Sequence, residues 1–151
     1  MGYQLLAVVV LLGNGVAAGV LFTHAVGVWP AMMALSPPRY VEAHKLIGRS
    51  YDPMMPIMVA MTILFAVAAG ILTDDGVAAV LHWTSAALLV AVAAVSQFGN
   101  VPINRKVKVL TPDTIPANWS DPRPQWRDWN LIRTVCSLAA FAGNAIAVVL
   151  N

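Results

Sequence analysis

The sequence predicts an all-α integral membrane protein. The fold is a four-helix bundle with a short interfacial helix between spans 1 and 2 and a long cytoplasmic loop between spans 3 and 4. Three observations carry this expectation. Of the 151 residues, 59% are hydrophobic and only 11% are charged, whereas roughly a quarter are charged in a soluble globular domain. The apolar residues gather into four runs, each long enough at about 1.5 Å per residue to cross a hydrocarbon core of ~30 Å. All nine Lys and Arg lie in or beside two of the connections.

The first span covers about residues 5–28. No Lys or Arg precedes it and it is too long for a signal-peptide core, so it is expected to be a true span. Residues 37–50 begin with Pro-Pro and scatter Val41, Leu46 and Ile47 among polar residues, the pattern of a helix lying at the membrane surface. The second span runs over about 54–72, and "TDDG" turns tightly into the third, about 77–98. A polar, Pro- and Trp-rich loop occupies 99–130, and the fourth span follows at about 131–150. The spans form a single domain over residues 1–151.

The charges orient the bundle. Arg39, Lys45, Arg49, Arg105, Lys106, Lys108, Arg123, Arg127 and Arg133 all belong to the first and third connections or their margins, while Asp74 and Asp75 mark the second. By the positive-inside rule the basic loops are cytoplasmic and both termini lie outside the cell membrane. A net charge of +2 is thereby explained by topology, and no nucleic-acid partner is expected. The lone Cys136 excludes an internal disulfide and any cysteine-based zinc pattern, and no GxGxxG or P-loop is present.

Polar side chains inside a bilayer are costly and mark packing or function. The first span holds Asn14, Thr23 and His24, with Gly15 and Gly19 spaced for close helix approach, a face that also allows a homodimer. His82 lies near the outer end of its span and His24 near the inner end, so the two should not share a metal. On the fourth span Asn130, Arg133, Ser137 and Asn144 share one face at 3.6 residues per turn. Gln97, Asn100 and Asn104 do the same on the third. The two stripes converge on an inner-leaflet pocket, with His24 beside it and His44 approaching from the surface helix.

Together the motifs "FTHAVGVWPAM", "YDPMMP", "NVPINRKV" and "WRDWNLIRT" resemble the anthrone oxygenase-like family of small four-helix membrane proteins over nearly the whole chain. The most specific part is an NxPxN paired with WxxW and NxxR. Some members oxidise polyketide anthrones to anthraquinones with O2, and a cofactor-free mechanism has been proposed for them. The resemblance implies that fold and membrane placement, and carries over Asn100, Pro102, Asn104, Trp126, Asn130 and Arg133 as site residues.

The expected activity is therefore an O2-dependent oxygenase acting on an apolar, polycyclic, enolisable substrate. His24 is the expected base, with His44 as the alternative, because imidazole titrates near neutral pH. Arg133 and Asn104 complete the catalytic set as donors to the enolate oxygen. Asn100, Trp126, Trp129, Asn130 and Tyr51 are the expected substrate contacts. The partners are then the lipid bilayer, an apolar small molecule and O2. No cofactor is expected. A copper or iron oxidase using the imidazoles with Asp52 or Glu42 is one alternative, and a non-catalytic membrane binder or accessory protein is the other.

Overall fold

The computed structural model describes residues 2–116 and 118–151, and it is helical almost throughout. α1 (Gly2–Thr23) does not stop at the membrane surface. It passes through a widened, π-helical turn at His24–Val28 and continues as α2 (Trp29–Ala34). In that turn the Trp29 N–H reaches back to the His24 carbonyl, and Pro30 follows at once. A proline has no N–H and its ring collides with the carbonyl four residues back, so an added residue relieves the squeeze.

α3 (Pro37–Leu72) is one continuous helix. The surface helix expected over 37–50 is therefore not separate but is the first half of the second span. Pro53 and Pro56 lie inside it. They free the carbonyls of Arg49 and Asp52, two charged residues at the interface rather than in the apolar half.

α4 (Gly76–Val95) repeats the device of α1. It runs through a π-helical turn at Ser96–Asn100, closed by the Val101 N–H on the Ser96 carbonyl, into α5 (Val101–Lys108), with Pro102 immediately after. The loop expected over 99–130 thus begins as helix. A short 3₁₀ turn spans Pro112–Thr114, and α6 (Arg123–Leu150) starts eight residues before the expected span.

α1 and α4 each pack on both α3 and α6. The interior of this bundle is small or polar: Ala7, Ala17, Ala66, Ala86, Ala140 and Ala147 are buried beside Asn14, His82, Ser137 and Asn144. The exterior is large and apolar, with Leu5, Leu12, Leu64, Ile71, Val80 and Val135 exposed. Helices in lipid associate through small residues and polar contacts, because tails solvate leucine as well as a core does. This inside-out pattern, with four helices long and apolar enough to span, identifies an integral membrane protein. Within the GxxxG, a methyl on Gly15 would meet Phe141 at 3.2 Å, whereas Gly19 faces open space.

The two ends of the bundle differ. At one end Tyr3, His82 and Asn144 form a closed network: His82 Nδ1 lies 2.9 Å from Asn144 Oδ1, and Nε2 lies 3.1 Å from the Tyr3 hydroxyl. The other end carries the basic residues, both π-helical turns and a cavity.

Candidate functional site

The cavity lies where α1, α2, the first half of α3, α5 and the start of α6 meet. It measures about 110 Å3, and its wall includes His24, His44, Tyr51, Asn104, Trp126, Asn130 and Arg133. Seven residues scattered over 110 positions of sequence thus come to one space. Asn100 and Trp129 do not line it.

Trp126 stands at the centre. Its ring stacks on Trp29, with centroids 5.7 Å apart at 12°. It lies 6.0 Å from the His24 ring and 6.5 Å from the His44 ring. The Arg133 guanidinium sits 5.9 Å from it, within reach of a cation–π attraction.

The NxPxN motif holds this tryptophan. Asn104 Oδ1 accepts the indole N–H at 3.0 Å, and Asn100 Nδ2 donates to the Trp126 backbone carbonyl at 3.1 Å. Asn100 is 2% exposed and acts from behind the wall. Trp129 packs against Gly99, where an added Cβ would fall 2.6 Å from the indole. Only glycine allows that approach, so "GNVPIN" is shaped throughout to receive "WRDW".

Arg133 is a cation inside the bundle. It donates from one terminal nitrogen to Ser96 Oγ at 3.1 Å and from the other to Asn130 Oδ1 at 2.9 Å, while its Nε is buried without a partner. Among the described residues no carboxylate lies within ion-pair distance of it. Asn130 is itself fixed by donating to the Leu21 carbonyl at 3.3 Å.

His24 donates from Nδ1 to the Val20 carbonyl, one turn back, at 2.8 Å. A carbonyl only accepts, so Nδ1 carries the proton and the neutral ring keeps its lone pair on Nε2. Tyr51 meets this ring edge-on at 5.2 Å. His44 lies one turn along α3 from Tyr40, whose ring it meets edge-on at 5.4 Å. Among the described residues no group of three His, Cys, Asp or Glu side chains converges to hold a metal ion.

A second buried cation lies behind Met32 and Tyr40 of the cavity wall. Arg123 donates to the Met32 and Leu35 carbonyls, both at 2.9 Å, and so caps the last turn of α2. It pairs with Asp121 at 2.7 Å and lies over the Tyr40 ring at 5.1 Å. Partial burial opposes ionisation of Asp121, but the Arg123 hydrogen bonds and charge outweigh it and hold the carboxyl below its usual value.

Sequence reasoning missed Trp29, Met32, Tyr40 and Asp52 as walls. Two residues it turned inward, Thr23 and Gln97, are exposed. The π-helical turn explains the second: one extra residue shifts the phase by about 100°, so Ser96 takes the inward place expected for Gln97. The signal was the proline following each turn.

One family profile, described as anthrone oxygenase, matches residues 45–143. The match takes in Asn104, Trp126, Asn130 and Arg133 and stops short of His24 and His44. No curated protein and no solved structure matches the chain. With about two thirds of its length under that profile, including the asparagines and the tryptophan they hold, the chain belongs to the anthrone oxygenase family.

Proposed function

We propose that the protein is a membrane-embedded, O2-dependent oxygenase that converts an apolar, enolisable polycycle of the anthrone kind into the corresponding quinone. Arg133 is the observation that carries this reading. A guanidinium buried in the bundle with no carboxylate partner among the described residues costs several kcal/mol. An anion generated in the cavity would recover part of that cost, and an enolate oxygen is such an anion.

The steps follow from the neighbouring groups. His24 Nε2 takes a proton from the ring methylene, and the electron pair moves onto the carbonyl oxygen. Arg133 and the Asn104 amide stabilise the resulting oxyanion. Donors so placed are worth roughly 10²–10³ in rate, and a positioned base about 10²–10⁴. The enolate passes one electron to O2. The carbon radical and superoxide then join through a C–O bond, and a proton completes a hydroperoxide. Loss of the second methylene proton with cleavage of the O–O bond leaves the new carbonyl and one water. One O2 is consumed for each quinone.

We infer the orientation from the charges. The Asp74–Asp75 turn and the C-terminus share one end, since Asn151 bonds to Thr73. The basic residues share the other, which the positive-inside rule puts in the cytoplasm together with the cavity.

The test is anthrone oxidation by the protein in nanodiscs, following O2 uptake and quinone formation together. The expected result is a one-to-one stoichiometry that collapses in Arg133→Met and in His24→Gln. Saturable binding of anthrone without any turnover would overturn the oxygenase reading in favour of a non-catalytic binder.

A further inference from the structure

The cavity is too small for the substrate it is proposed to serve. A closed apolar cavity of about 150 Å3 holds a single benzene ring, and this one measures about 110 Å3. Beside it, between α3 and the end of α4, runs a second hollow of about 300 Å3 whose walls are almost wholly apolar. Leu21 and Met55 line both spaces and form the partition between them.

Three features set this groove apart from an ordinary gap between helices. At the other end of the same helix pair, Trp83 fills the space against Gly70, where an added Cβ would meet the indole at 2.3 Å. In the groove the two helices instead present Ala60 and Ala93 to its wall, both small and exposed. Ser96, which accepts a hydrogen bond from Arg133 of the cavity, lines the groove. Gln97 lies beside it, an exposed amide at the end of an apolar surface.

Resting on the oxygenase reading, we propose that the groove is the second half of the substrate site and its lateral entrance from the bilayer. The reacting ring, flanked on both sides in a three-ring anthrone, lies across the opening at Leu21 and Met55, with one outer ring in the cavity and the remaining rings in the groove. An oxygen substituent on those rings meets Ser96 and Gln97. The ligand class is an uncharged, planar, multi-ring aromatic compound, with or without an oxygen on a ring distant from the reacting carbon. Such a molecule partitions into lipid and reaches the site without crossing water.

The test measures binding under argon, so that turnover plays no part. Tryptophan fluorescence of protein in nanodiscs reports the Kd for anthrone, with three rings, and for phenol, with one, after subtracting protein-free discs. Ala93→Phe and Ala60→Phe fill the groove, and Val90→Phe on the exterior of α4 is the control. The expected result is a Kd for anthrone raised at least tenfold by the first two variants only, with phenol within twofold of wild type throughout. Unchanged anthrone affinity in the filled variants would overturn the proposal. So would equal weakening of anthrone and phenol, which would remove the discrimination by size. No anthrone binding by the wild type would leave the groove to lipid chains and overturn it as well. Anthrone that binds as expected but is never oxidised would refute the oxygenase reading alone.

Discussion

Asn104 holds Trp126 by its indole N–H, Oδ1 to Nε1 at 3.0 Å, across a gap of 22 residues. That bond fixes the plane of the ring against which His24, His44, Trp29 and Arg133 are all arranged. In an apolar setting an indole N–H without a partner is expensive, so the asparagine both satisfies the tryptophan and aims it. A double-mutant cycle reads this relationship directly. Trp126→Phe and Asn104→Leu are each expected to lower unfolding stability in nanodiscs by about 1–3 kcal/mol. Because they remove the same bond, the double variant should fall short of their sum by about 0.5–3 kcal/mol. Strict additivity would show that the bond does not hold the ring.

Arg133→Lys separates charge from geometry. Lysine keeps the cation but cannot bond Ser96 and Asn130 at once as the guanidinium fork does. If the enolate is stabilised by a placed donor, kcat for anthrone oxidation should fall about 10²-fold with KM little changed. A lysine variant at wild-type rate would mean that charge alone suffices and that the fork is structural.

His24→Gln tests the base. Glutamine retains a donor for the Val20 carbonyl and much of the ring's volume but has no basic nitrogen. Turnover should drop about 10²–10⁴-fold while the anaerobic Kd for anthrone stays within about threefold. His44→Gln is the companion, and the larger loss identifies the base. Equal, small losses in both would remove histidine from the proton transfer.

The Arg123–Asp121 pair makes the α2–α6 closure depend on pH. Asp121 has a folded value below its usual one, so the pair's contribution is complete above the unfolded value of about 3.9 and is lost as pH falls through the folded value. Thermal midpoints of wild type and Asp121→Asn should therefore differ at pH 7 and converge as the pH approaches the bottom of the carboxylate range. A constant offset at every pH would show that the carboxylate's charge is not what stabilises the closure.

How much of this could be read from the chain depended on whether the helices kept their period. On α6 they did: Asn130, Ser137 and Asn144 are all buried along one face, as 3.6 residues per turn requires. On α4 the turn at Ser96–Asn100 broke the period, and Gln97 was turned inward in place of Ser96. Residues 37–50 read as a separate surface helix because polar residues run through them, yet the helix continues unbroken through Pro53 and Pro56 into the span. The roles of Asn100 and Trp129 were hidden for another reason. Spacing shows which residues share a face but not which of them support the wall from behind.

His82 gives the last prediction, from the opposite end. The ring is fully buried and bonded on both sides, to Asn144 and to Tyr3. With Asn144 Oδ1 as the acceptor, Nδ1–H donates to it, and in the neutral ring the Tyr3 hydroxyl donates to Nε2. Replacing His82 by Leu strands Asn144 Oδ1, at about 1–3 kcal/mol, leaves the Tyr3 hydroxyl only the Ala147 carbonyl at 3.4 Å, and should lower the thermal midpoint markedly. Turnover per folded molecule should stay within about twofold, because the network touches no wall of the cavity. Asn144→Leu should match it. A collapse of turnover in protein that is still folded would mean instead that the polar seam of α6 transmits a change from this end of the bundle to Arg133.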